Sequence, residues 1–232
     1  MDLLSNPKLL QPLLYLYLAL AITLLATVLH FKRRAKKWGD FRAVLFYFLS
    51  FFALLFVLPI LIIVLISAAP ARFLAAVGGT MGRGGRGLLF IIIALPISIF
   101  SAWIGSRDPV LGQFYPFSKQ ACSGIKKFIL YETAYLFFYY LPWEFVFRGL
   151  LFFPLVASSG LWAALAVQTL ISTLYHLGHP DLEIFGALGS GLVFGLLAYS
   201  TGSFLYTAVI HAMVGISNDI FLYKRYYHRK GS

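Results

Sequence analysis

Lys126 to Val156 reads KKFILYETAYLFFYYLPWEFVFRGLLFFPLV, and the folding of this chain turns on how that run is accommodated. Nearly all of it is apolar, yet Glu144 and Arg148 stand four residues apart near its middle. On a helix, residues i and i+4 share a face, so the two charges can pair. Each alone at mid-membrane depth costs about 2.5 to 3.5 kcal/mol on insertion scales, which is why such residues normally face a cavity or a partner. A spanning helix takes about 20 apolar residues. The run is too long for one upright crossing and too short for two, so it predicts either one steeply tilted helix or a helix broken near Pro142.

The composition agrees with a membrane setting. Hydrophobic residues make up 60% of the 232 and charged residues only 12%, outside the range of ordinary soluble domains. Five of the eight acids (Glu132, Glu144, Asp181, Glu183 and Asp219) fall where hydrophobicity stays high. The net charge of +11 comes from short basic clusters between apolar runs, chiefly Lys32 to Lys37 and Lys224 to Lys230. Positive-inside topology and attraction to anionic lipid headgroups explain that pattern without a nucleic acid. The single Cys122 excludes an internal disulfide framework.

Working outward, residues 12 to 31 form a first span. Lys8 alone precedes it and the basic cluster follows it with no small-residue cleavage pattern, so it reads as a retained anchor rather than a signal peptide. Spans at 43 to 68, with Pro59, and 88 to 105, with Pro96, come next. The glycine-rich Gly78 to Gly87 between them lacks the Gly-Lys-Ser/Thr ending and flanking strand of a phosphate loop and reads as a flexible basic loop. After a turn at Ser158 to Gly160, a span ends near His176, a break follows at Gly178 and Pro180, and spans at 183 to 200 and 203 to 223 complete the chain. The expected fold is all-α, a polytopic transmembrane bundle of seven or eight spans with a broken helix near 178 to 180. Residues 1 to 125 are its N-terminal spans and loops, 126 to 224 its core, and 225 to 232 a basic tail. Seven crossings put the N-terminus outside and both basic clusters on the cytoplasmic side.

Polar residues gather at three places in the core. Glu144 and Arg148 are the first. The second is the broken stretch with His176, His179, Asp181 and Glu183, and broken backbone at depth is tolerated chiefly where it lines a polar cavity. The third is the last span, where Asn218 follows His211 by seven residues on nearly the same face, with Asp219 beside it. A carboxylate and an imidazole in a low-dielectric cavity suit general acid-base work. The same groups also suit a neutral pair that locks two helices, or a proton pathway. Imidazole and carboxylate suit zinc as well, but the helical His-Glu-x-x-His is absent, so no metal and no cofactor is expected. Ala187, Gly191 and Gly195 form a small-residue ridge for close helix packing. Tyr131, Tyr135, Phe138, Tyr139 and Tyr140 read as lipid contacts and interface anchors.

Over roughly residues 125 to 222 the chain resembles the CAAX-protease and bacteriocin-processing family of glutamic intramembrane proteases. The resemblance rests on Trp143 to Gly149, on His176-Leu177-Gly178-His179-Pro180 with Glu183, on Ser200 to Ser203, and on His211, in the order of the family's Glu-Glu-x-x-x-Arg, Phe-x-x-x-His and His-x-x-x-Asn motifs. It departs from them at Trp143 for the first glutamate, Ser172 for the phenylalanine and Gly215 for the asparagine. The resemblance implies an endopeptidase acting on a membrane-associated protein or peptide. On that reading Glu144 and His176 activate water, His211 and Asn218 stabilise the oxyanion, and Arg148 holds Glu144. His179 and Asp219 support them, and Glu183 is the other candidate for the missing first carboxylate. The expected location is a bacterial cytoplasmic membrane. The alternatives are a non-catalytic relative that binds a membrane peptide or gives immunity to one, and a transporter.

Overall fold

The computed structural model describes residues 7–227, and every regular element among them is helical. Besides a single 3-10 turn at Gln120–Ser123, these are in chain order α1 (Pro7–Thr27), α2 (Phe31–Trp38), α3 (Asp40–Ile66), α4 (Pro70–Ala76), α5 (Gly84–Gly105), α6 (Pro109–Phe114), α7 (Ile125–Ser159), α8 (Leu161–Leu174), α9 (Asp181–Thr201) and α10 (Leu205–Tyr227). His228, Arg229 and Lys230 of the basic tail lie outside the described residues. Among the described residues, six helices (α1, α3, α5, α7, α9 and α10) are long and apolar enough to cross a bilayer. The protein is an integral membrane protein with an all-α, polytopic fold. α8 is also apolar, but its 14 residues rise only about 21 Å, short of the roughly 30 Å hydrocarbon core.

α7 runs undivided through Pro142 for 35 residues, or about 52 Å, so it must tilt or emerge from the bilayer. The helix passes the proline by widening. Leu136–Tyr140 is a π-type stretch in which the Leu141 N–H reaches back five residues to the Leu136 carbonyl, and Pro142 follows directly. α3 repeats the device: a π-type stretch at Ala53–Val57 ends with Leu58 bonded to the Ala53 carbonyl, and Pro59 is next. A wider turn relieves the clash and the missing donor that make proline break a regular helix.

α7 is also the hub. Inside the fold 56% of its most apolar window is buried, against 17 to 39% for the other long helices. Tyr131, Tyr135, Tyr139 and Tyr140 are therefore interior residues, at most 8% exposed, and not the lipid contacts their sequence suggested. Tyr135 stacks on Phe48 of α3 with centroids 4.8 Å apart, and Tyr139 stacks on Phe51 at 4.4 Å. Phe138 alone of that group is partly exposed.

The small-residue ridge of α9 meets α8. A Cβ on Gly191 would lie 2.8 Å from the Thr169 methyl, and one on Gly195 would lie 2.5 Å from Leu165. The buried Gln168 amide uses the closeness to donate to the Gly191 carbonyl at 2.7 Å. The glycine-rich loop before α5 is docked, where its composition suggested a flexible segment. Arg83 donates through its backbone N–H to the Thr201 carbonyl at 2.7 Å and through its guanidinium to the Ser200 carbonyl at 3.0 Å, and the Tyr206 hydroxyl donates to the Met81 carbonyl. The loop thus satisfies the open carbonyls at the end of α9.

Candidate active site

Between α5, α7, α9 and α10 lies a cavity of about 640 Å³. Trp143, His176, Glu183, His211, Asn218 and Asp219 all line it. The polar side chains form two groups, one at the broken stretch after α8 and one on α10 against α7.

In the first group, Glu183 sits in the opening turn of α9, where helix N-termini favour negative charge. One of its carboxylate oxygens accepts from the Tyr115 hydroxyl at 2.6 Å and from His179 Nδ1 at 2.9 Å. His176 Nε2 faces the same oxygen at 3.8 Å. The His176 tautomer is set by its other nitrogen: Nδ1 lies 2.8 Å from the Ser172 carbonyl, which can only accept, so Nδ1 carries the proton and Nε2 presents a lone pair. Burial holds the His176 imidazole down to about 4, so the ring is neutral at ordinary pH. Burial, reinforced by the Glu183 carboxylate, keeps the Tyr115 hydroxyl protonated by raising it well above its usual range. Two acceptors 3.8 Å apart suit one water that gives a proton to each.

The second group is built on α7 and α10. The Glu144 carboxylate is fully buried and accepts from Arg148 Nη1 at 3.2 Å and from His211 Nδ1 at 2.7 Å. His211 packs between Tyr140 and Phe194, with centroids 4.7 and 5.5 Å away. Glu144 itself is not part of the cavity wall; its partner His211 is. Nor is Glu144 bonded to His176. One residue along a helix is a rotation of about 100°, and it is Trp143 that takes the face toward His176, its ring 5.4 Å from the imidazole and nearly perpendicular to it. Asn218 lines the cavity from α10. Asp219 is buried beside it, with Lys119, Tyr131 and Glu132 as polar neighbours.

Residues 126–217 match the family model described as Rce1-like, type II CAAX prenyl endopeptidase Rce1-like. Over this segment the chain is similar to the CAAX-protease family. No match was found among curated proteins or among solved structures. The matched segment runs from α7 into α10, so it includes Glu144, Arg148, His176, His179, Glu183 and His211 and stops one residue before Asn218.

Each departure from the family motifs has a visible local setting. Trp143 is 2% exposed and braced by Phe51, Tyr139 and Tyr175. Ser172 contributes its backbone carbonyl to His176, which any residue does equally well. At Gly215 there is no room for a side chain, because a Cβ there would overlap the Tyr140 hydroxyl. Tyr115 escaped the sequence reading altogether. It precedes the matched segment by eleven residues and reaches Glu183 across 68 positions, a pairing no local pattern signals. Among the described residues no three His, Cys, Asp or Glu side chains are gathered as a metal ion requires.

Proposed function

We propose that this protein is an intramembrane endopeptidase of the glutamic, metal-independent type, in which Glu183 and His176 activate water against a peptide bond of a membrane-associated protein or peptide. The observation that carries the reading is the cavity-facing pair of acceptors, Glu183 Oε1 and His176 Nε2, 3.8 Å apart. Water held between them loses a proton to one as its oxygen attacks the carbonyl carbon, and the same proton then goes to the leaving nitrogen. Tyr115 and His179 keep the Glu183 carboxylate aimed. His211 and Asn218, on the α10 wall, take the oxyanion side, and Glu144 with Arg148 fixes the His211 ring. We read the setting as a bacterial cytoplasmic membrane, with the exposed Lys32, Arg33, Lys36 and Lys37 of α2 on anionic headgroups.

The test is cleavage in liposomes, with a peptide ending in a prenylated Cys-a-a-X sequence as the first probe and a single-span apolar peptide as the second. The wild-type chain should release a C-terminal fragment detectable by mass spectrometry, and His176→Ala should lose that activity about 10²- to 10⁴-fold. A wild-type chain that cleaves neither probe sinks the reading and favours a non-catalytic relative, in which Trp143 simply fills the place of a carboxylate.

A pH profile gives an independent check. An imidazole that titrates at about 4 in place of 6.5 accepts protons throughout the neutral range and loses that capacity only as pH falls through about 4. His211, His179 and Glu183 are the titratable groups that act on it. The acid limb of kcat/KM set by His176 should therefore lie near pH 4 to 5. A limb at the ordinary imidazole value would show that burial does not hold the His176 ring down.

A further inference from the structure

The α10 wall of the cavity presents His211 and, one turn later, Gly215. His211 Nδ1 is engaged by Glu144 at 2.7 Å, which leaves Nε2 as the ring nitrogen open to the cavity. Tyr140 brings a neutral hydroxyl donor to the same wall. It lies one turn before Glu144 on α7, so both side chains project toward α10 and flank His211, the Tyr140 ring at 4.7 Å and the Glu144 carboxylate at 2.7 Å. The Tyr140 hydroxyl ends over the α-carbon of Gly215, in the space where any other residue's side chain would start. Tyr140 and Gly215 both line the cavity, together with His211 and Asn218. Tyr135 adjoins Tyr140, centroids 4.3 Å apart.

We infer that Tyr140 is a catalytic residue, its phenol donating a hydrogen bond to the carbonyl oxygen of the scissile peptide as negative charge develops there, with Gly215 required to admit the hydroxyl. The inference rests on the endopeptidase reading above and adds to it a further donor on the oxyanion side, beside His211 and Asn218. A donor in this role accelerates only the chemical step, because the bond strengthens as charge builds.

The full-length chain in liposomes, assayed on the prenylated peptide, tests this with two variants. Tyr140→Phe keeps the ring and its packing, so folded yield should match wild type while kcat drops about a hundredfold and KM stays level. In the double variant Tyr140→Ala/Gly215→Asn, the ring is gone and the asparagine amide enters the vacated space. It should recover at least tenfold over Tyr140→Ala alone, a rescue that a packing role for Tyr140 does not produce. Wild-type kcat in Tyr140→Phe, with His176→Ala inactive, overturns the inference and leaves the protease standing. A fall in Tyr140→Phe confined to KM or to folded yield also overturns it. If the wild-type chain cleaves nothing, both fall together.

Discussion

Glu183→Gln should lose cleavage of a membrane peptide by about 10² to 10⁴-fold while the protein folds in normal yield. The glutamine side chain keeps the size of the original and can still accept from Tyr115 and His179, so the opening turn of α9 stays in place. The variant removes the charge that draws a proton from water beside His176. Glu144→Gln should behave in the opposite way. Its carboxylate is fully buried between Arg148 and His211, and neutralising it strands a buried guanidinium, so the loss should appear first in folded yield. The two variants, compared by size-exclusion yield and by turnover per folded molecule, separate a carboxylate that reacts from one that positions. Full turnover in Glu183→Gln, with turnover abolished and yield intact in Glu144→Gln, would transfer the catalytic role to Glu144.

The contrast between the two acids also marks where sequence reading runs out. The lengths of the apolar runs locate the helices to within a few residues, and Gly178 with Pro180 announces the break between α8 and α9. The Glu144 and Arg148 pair is legible from i, i+4 spacing alone. Facing directions are not. A helix in a soluble protein reveals its buried side by a stripe of apolar residues, but lipid is as apolar as a protein core, so Tyr131, Tyr135, Tyr139 and Tyr140 carry no mark of being inside. The π-type stretches at Leu136–Tyr140 and Phe145–Leu151 compound this. Each shifts the phase of the residues C-terminal to it, so a count of 100° per residue from any reference along α7 accumulates an error as large as the difference between Trp143 and Glu144. The partner of Glu183 was hidden for another reason, because Tyr115 reaches it from a loop outside the matched segment.

Arg148→Ala should reduce folded yield severely. Its side chain is 3% exposed and lies 3.2 Å from a carboxylate with no exposure at all, with Phe194 beside it 5.5 Å from guanidinium carbon to ring centroid. Removing one member of a buried pair typically costs about 3 to 5 kcal/mol, a large share of the roughly 5 to 15 kcal/mol that holds an ordinary domain together. The cause is the stranded charge and not the lost attraction, and a second variant separates the two. Arg148→Met combined with Glu144→Gln leaves no charge to bury, fills most of the same volume, and keeps an amide oxygen to accept from His211 Nδ1. It should fold and melt close to wild type, since replacing a buried pair with uncharged groups of similar volume is often neutral. Turnover should also return in large part, because the neutral acceptor still holds the His211 ring. If the double variant folds and yet has no activity on the prenylated peptide, the charges of Glu144 and Arg148 act in the reaction itself, and a purely positioning role for the pair is excluded.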